Sequence, residues 1–246
     1  MKTTFVIPTY NEAENISKLV KAVLELPVSV DILIVDDNSP DGSGDLAEQL
    51  KKEHPGRIQV LHRKGKLGLG SAYIQGFRQA IANGADYIGQ MDADFSHPVD
   101  KIPVLINTLE CCDFVIGSRY VSGGKLDDNW PFWRKWLSGF GNFYARTILG
   151  LKIKDVTGGF RLWRKETLSA MPLERVKSNG YIFQVEMSYL ATLVGFQCKE
   201  TPIYFADRRW GQSKMSLRIQ LEAAYRTWLL LGFYNDLKKN ARFNRV

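Results

Sequence analysis

Short apolar runs alternate with amphipathic stretches through the first half of the chain. Residues 4–7, 31–35, 57–61, 87–91 and 113–117 are compact apolar runs and predict buried strands. Between the first two, Ile16, Leu19, Val20 and Val23 recur at helical spacing. Asn11 is the expected N-cap, with Glu12 and Glu14 in the first turn and an end near Leu26. Further helices are expected from about Ser43 to Glu53, from a glycine-rich loop at residues 65–70 to about Asn83 with Gly84 closing it, and from about Pro98 to Leu109. Strands and helices alternating at this spacing imply right-handed β-α-β units, a mostly parallel sheet and helices on both faces. The second half is less regular. It holds an aromatic segment at 130–149, a polar block at 155–164, a helix near 181–194, a strand near 196–205 and a last helix near 216–234. The pattern predicts one α/β domain over residues 1–215, followed by an amphipathic helix and basic tail over 216–246.

Composition changes this picture little, but charge adds to it. With 246 residues, 45% hydrophobic and 24% charged, the chain has ordinary proportions for a folded protein with a sizeable core. No apolar run reaches the roughly 18 residues needed to cross a bilayer. Pro8 interrupts the first apolar run too early for a signal peptide. Cys111, Cys112 and Cys198 have no metal-ligand spacing and fit reduced thiols in a cytoplasmic protein. Residues 208–246 hold nine basic and two acidic residues, so the whole +7 charge of the chain lies there. A basic end implies an anionic partner: a lipid surface, a nucleic acid or a phosphorylated substrate.

The candidate chemistry centres on residues 86–98. The run from Tyr87 to Met91 ends in Asp92 and Asp94, one residue apart. Alternate side chains of a strand point the same way, so the two carboxylates are expected on one face as the strand runs out. Carboxylates that close repel unless a cation lies between them or one is protonated. A hard divalent cation held by one or two carboxylates and substrate phosphates suits them. Two nucleotide-binding motifs are excluded. Pro8-Thr9-Tyr10-Asn11-Glu12 follows the first strand where a dinucleotide fold needs Gly-x-Gly-x-x-Gly, and no stretch has P-loop spacing. Instead, polar residues follow successive strands: Tyr10 and Glu12, then Asp36 and Asp37, then Lys64 and Lys66, then Asp92 and Asp94, then Ser118 and Arg119. In a parallel sheet these converge on one edge, where ligands bind. An aromatic platform, hydroxyl-binding carboxylates, a metal pair and a basic group suit a nucleotide carrying a diphosphate.

The motifs resemble those of dolichol-phosphate (polyprenol-phosphate) mannosyltransferases, inverting family-2 glycosyltransferases. The resemblance rests on Pro8-Thr9-Tyr10-Asn11-Glu12, Asp36-Asp37-Asn38-Ser39-Pro40-Asp41-Gly42, Lys66-Leu67-Gly68-Leu69-Gly70, Met91-Asp92-Ala93-Asp94 and Gly117-Ser118-Arg119-Tyr120. It continues through Thr157-Gly158-Gly159-Phe160-Arg161, the block from Gly180 to Met187, and Gly211-Gln212-Ser213-Lys214. It implies a GT-A-type fold and transfer of mannose from GDP-mannose to a dolichyl or polyprenyl phosphate. Matching positions imply that Pro8, Tyr10, Glu12, Val35, Asp37, Asp92 and Ala93 hold the nucleotide sugar. Asp92 and Asp94 would hold Mg²⁺ or Mn²⁺, and Arg119, Arg208 and Lys214 would meet phosphates. It also implies peripheral association with the cytosolic face of a membrane, with a small membrane-anchoring subunit as a candidate partner and no role for nucleic acid. An ionised phosphate acceptor needs no general base, so His97 is expected to position its loop.

Two positions depart from the family pattern. A serine is expected where Gly158 stands. An arginine is expected near Gly139, which leaves Arg134 and Lys135, with Arg119, as candidates for the acceptor phosphate. Trp133, Trp136, Leu137, Phe140, Tyr144 and Ile148 recur at helical spacing and suit either a membrane interface or a helix packed on the core. The last helix, apolar from Trp228 to Phe233 with Lys238, Lys239, Arg242 and Arg245 beyond, has the same two readings. UDP-glucose is the alternative donor. Asp92-Ala93-Asp94-Phe95-Ser96 also mimics the nucleophile motif of haloacid-dehalogenase-type phosphatases, although that motif belongs on a first strand. A non-catalytic lipid-binding module is the remaining alternative.

Overall fold

The structure, a computed structural model, describes residues 1–207 and 217–238. Its centre is a seven-stranded sheet in the order β3-β2-β1-β4-β7-β5-β8. The strands are β1 (Thr3–Thr9), β2 (Asp31–Asp36), β3 (Ile58–His62), β4 (Tyr87–Gln90), β5 (Phe114–Ser118), β7 (Arg161–Arg164) and β8 (Cys198–Pro202). A separate two-stranded pair joins β6 (Lys125–Leu126) and β9 (Tyr204–Phe205). Every pairing is parallel except those of β7, which lies antiparallel between β4 and β5. The expected mostly parallel sheet is present.

The strand β1 continues through Pro8, where the sequence pattern predicts a stop. Pro8 pairs with Val35 of β2, while β4 pairs only with the residues from Thr3 to Val6. Pro8 therefore stands where no β4 partner requires the N–H that proline lacks. Alternation along β1 sends Phe5 and Ile7 into one apolar cluster and Val6 into the other. The first cluster is covered by α1 (Ala13–Leu24), α2 (Ser43–Glu53) and α4 (Ile102–Leu109). The second is covered by α3 (Leu69–Ala82), α5 (Phe132–Leu149), α7 (Tyr181–Val194) and α8 (Leu217–Phe233). A short α6 (Lys165–Ala170) follows β7. The predicted stripe of Ile16, Leu19, Val20 and Val23 is the buried face of α1. The helix α3 packs so closely that a Cβ on Gly76 would collide with Val6 and crowd Val35.

Three local expectations need correction. Asn11 does not cap α1: it adopts a left-handed φ of 61°, Glu12 is the N-cap residue, and the Asp41 carboxylate accepts the Ala13 N–H. A 3-10 turn at Val99–Lys101 precedes α4, so the helix proper begins four residues after Pro98. The polar block at 155–164 contains the unpredicted strand β7. Strands on both sides bury Arg161 completely, and the Gly158 and Val156 carbonyls accept its guanidinium N–H groups. A strand whose buried arginine bonds local backbone carbonyls reads from sequence as a polar loop.

The helix α5 buries only Asn142, Ala145 and Leu149 and leaves Phe132, Trp133, Trp136, Phe140 and Phe143 exposed. The helix α8 packs on α5 and α7. Leu230 and the following Tyr234 enter the core, where Tyr234 donates to the buried Glu186 carboxylate at 2.7 Å. Among the described residues no helix is long and apolar enough to cross a membrane.

Candidate active site

The carboxyl ends of β1, β2, β4 and β5 open into a cleft of about 530 Å³. Of the predicted residues, Pro8, Tyr10, Glu12, Asp37, Asp92, Ala93, Asp94 and Arg119 line it. The Val35 side chain does not; it is fully buried in the apolar cluster under α3. Arg134 and Lys135 also lie outside the lining. Arg134 forks onto Asp207 with both contacts at 3.2 Å and stacks 3.6 Å over Trp130, while Lys135 donates to the Asp128 carbonyl. Arg208 and Lys214 fall outside the described residues.

One end of the cleft is built by the loops after β1, β2 and β3. The Lys66 ammonium sits 4.1 Å from the centre of the Tyr10 ring. Of the expected Asp36 and Asp37, only Asp37 faces the cleft; Asp36 turns away and accepts from Ser39 at 2.6 Å. Asp37 is held by Arg63 at 2.7 Å, which in turn reaches Ser71. Burial raises the Asp37 carboxyl above its usual range, and Arg63 opposes that shift. Nothing in the sequence pattern singled out Arg63.

Asp92 and Asp94 both line the cleft, but not by strand alternation. The strand β4 ends at Gln90, and the two carboxylates stand in a tight turn that Phe95 closes with a φ of 61°. The fully buried Tyr73 hydroxyl donates to Asp92 Oδ1 at 3.0 Å. The Ser96 N–H donates to Asp94 Oδ1 at 3.0 Å. His97 is buried against Phe160, and its Nδ1 accepts the Asp92 N–H at 3.1 Å. That bond requires Nδ1 to be unprotonated, as a loop-positioning residue needs, and burial holds the imidazole pKa below its usual value. The residues fit a divalent cation in one further respect. Ser96 Oγ is buried at the cleft wall and has no hydrogen-bond partner among the described residues. Two carboxylates and an unpartnered hydroxyl along one cleft are hard oxygen donors of the kind a divalent cation takes.

At the other end, the Arg119 guanidinium is gripped by Asp155. Nε donates to Oδ2 at 2.8 Å, one Nη donates to Oδ1 at 2.7 Å, and the same Nη reaches the Thr157 hydroxyl. The Arg119 N–H also donates to Asp155. Burial pushes the Asp155 carboxyl up, but the charge and hydrogen bonds of Arg119 outweigh it and hold the carboxyl below its usual range. Gly158 makes room for this pair, since a Cβ there would stand 3.3 Å from the Asp155 carboxyl group. Tyr181 and Gln184, which line the cleft, lie in the motif block from Gly180 to Met187, whereas the lining residues Glu222 and Arg226 and the supporting Tyr73 and Asp155 had no role assigned from the sequence. Asp155 opens the polar block beside the Thr157 motif, which was the one signal for it. Tyr73 reads as an ordinary core aromatic.

Solved structures of low identity share this fold. Glucosyl-3-phosphoglycerate synthase from Mycobacterium tuberculosis, in complex with Mn²⁺, UDP and glucosyl-3-phosphoglycerate, superposes with a TM-score of 0.62 at 15% identity, covering 94% of this chain and 79% of that one. A mannosyltransferase from Pyrobaculum calidifontis in complex with GDP-Man and Mn²⁺ gives 0.63 at 15% identity, covering 93% and 64%. The fold is GT-A-type. Residues 4–171 match the profile of Glycosyl transferase family 2, and the chain belongs to that family. Among curated relatives, it is 44% identical to the undecaprenyl-phosphate mannosyltransferase of Micrococcus luteus over 97% of this chain and 98% of that protein. It is also 44% identical to the polyprenol monophosphomannose synthase of Mycolicibacterium smegmatis, over 87% and 81%. Family membership overturns the phosphatase and non-catalytic alternatives.

Proposed function

We propose that this enzyme transfers mannose from GDP-mannose to a polyprenyl phosphate, with inversion at the anomeric carbon. The observation that carries the reading is near-full-length 44% identity to a protein named for this transfer to undecaprenyl phosphate, in a chain whose Asp92 and Asp94 both line the cleft. Tyr10, Glu12 and Asp37 bind the nucleoside end, and Lys66 lies near enough to meet its phosphates. Asp92 and Asp94 would hold Mg²⁺ or Mn²⁺. A bound divalent cation would offset the charge that develops on the departing diphosphate. Arg119, fixed by Asp155, presents positive charge to the reacting phosphates. The acceptor attacks as an ionised phosphate oxygen, the sugar–diphosphate bond breaks, and GDP leaves with the electron pair. No proton has to be removed, which agrees with a His97 nitrogen already occupied by the Asp92 N–H.

The acceptor is a lipid, and the exposed aromatic residues of α5 and α8 supply the surface for it. Phe132, Trp133, Trp136 and Phe143 on α5, with Tyr225 and Trp228 on α8, face solvent beside Arg134, Lys135 and Arg146. Aromatic rings with basic neighbours suit the headgroup layer of a bilayer, here on its cytosolic side. A small membrane-anchored subunit is the competing occupant of the same face.

Asp94→Asn tests the metal assignment. Lipid-linked mannose should fall by more than the roughly 10–100-fold seen when only an outer partner of a metal ligand is lost. A chelator should abolish wild-type product. Wild-type rates in Asp94→Asn would refute the assignment.

A further inference from the structure

Three cationic side chains line the cleft among the described residues: Lys66, Arg119 and Arg226. The first two are accounted for. Lys66 lies over Tyr10 at the nucleoside end, and Arg119 is locked into a buried pair with Asp155 and Thr157. Arg226 differs. It comes from α8, and among the described residues its partner is Glu222, one turn earlier on the same helix, with Nε 2.8 Å from Oε1. Both side chains are well exposed, at 41% and 53%.

We propose that Arg226 binds the phosphate of the lipid acceptor, exchanging its Glu222 partner for it. The assignment rests on the polyprenyl-phosphate reading above and names a residue for it that no motif contains. An exposed pair at this spacing is weak. A phosphate monoester offers the planar guanidinium fork two oxygens and about twice the charge of a carboxylate, so it displaces Glu222. In the absence of acceptor, Glu222 keeps the guanidinium in place and its charge balanced.

The position suits a lipid phosphate in particular. Glu222, Ala223 and Arg226 form cleft wall, while Tyr225 and Trp228 of the same helix are exposed. The Trp228 indole N–H donates to Tyr144 of α5 at 2.8 Å, and α5 carries the stacked Trp136 and Phe140 rings. An isoprenoid chain leaving a phosphate at Arg226 meets an aromatic surface made by these two helices. Beyond α8, the Tyr234 bond to Glu186 and the Asp236 pair with Arg175 at 2.7 Å fix the helix to the domain, so Arg226 is held at a constant place in the wall. Arg134 and Lys135, the sequence candidates for this role, lie outside that wall.

The test compares wild type with Arg226→Gln, Arg226→Lys and Glu222→Gln in a transfer assay. GDP-mannose and a short polyprenyl phosphate are varied separately, and melting temperatures are measured alongside. Arg226→Gln should raise the acceptor KM about tenfold or more and leave the GDP-mannose KM within about twofold, the size of one lost charge-assisted contact. Arg226→Lys should recover part of the loss, because it keeps the charge without the fork. Glu222→Gln should lower the acceptor KM. An unchanged acceptor KM in Arg226→Gln overturns the assignment, as does an equal rise in both KM values. An acceptor KM raised as far in Glu222→Gln as in Arg226→Gln overturns the exchange. Wild-type protein that makes no lipid-linked mannose overturns the underlying reading and this one with it.

Discussion

Arg119 and Asp155 form a deeply buried ion pair beside the cleft, and either alone would be a charge without compensation. Removing one partner of such a pair costs about 3–5 kcal/mol. Asp155→Asn should therefore be destabilised by about that amount at neutral pH, measured by urea unfolding. The pH dependence has a definite sign. The Asp155 carboxyl is held below its usual 3.8 in the folded state, so its contribution is complete above that pH and lost as pH falls through the lower folded value. The gap between wild type and Asp155→Asn should narrow on acidification below about 3.8. A pH-independent gap would contradict the pair. Tyr73→Phe removes only the hydroxyl that orients Asp92. The metal concentration for half-maximal activity should rise about tenfold or more, and an unchanged requirement would contradict the positioning role. These residues also show what the sequence conceals. Tyr10, Glu12, Asp37, Asp92 and Asp94 were legible because loops after parallel strands must converge. Arg63, Tyr73 and Asp155 were not, because each acts through a partner 26, 19 and 36 residues away.

At the scale of elements, hydrophobic periodicity was informative wherever one side of an element faces the core. The helix α2 spans the residues expected for it, and α1 buries its predicted stripe. Periodicity failed at β7, where Arg161 and Arg164 flank Leu162 and Trp163 and both arginines donate to backbone carbonyls. It also placed Asp92 and Asp94 at a strand end, whereas a turn with a left-handed Phe95 sets their geometry. Backbone strain of that kind has no hydrophobic signature. The helix α5 left two readings open, and the structure shows why: a narrow buried edge of Asn142, Ala145 and Leu149 coexists with a broad exposed aromatic face.

At the scale of the molecule, the exposed aromatic face is shared by α5 and α8, and α8 belongs to the C-terminal stretch, residues 208–246, that carries the whole net charge of the chain. Burying one large apolar side chain is worth about 1.5–3 kcal/mol. Replacing both Trp133 and Trp136 with alanine should weaken binding to vesicles containing anionic lipid by more than about tenfold in a sedimentation assay. Residual binding should fall further at high salt, where the basic contribution is screened. Undiminished binding would remove lipid as the occupant of this face and leave a protein subunit.

The most direct measurement of the central claim is a transfer assay with the purified protein, Mg²⁺ or Mn²⁺ and a short polyprenyl phosphate, offering GDP-mannose and UDP-glucose separately. Chelator-sensitive formation of polyprenyl-phosphate mannose from GDP-mannose, with none from UDP-glucose, is the predicted result. Product from UDP-glucose alone would contradict the proposed donor.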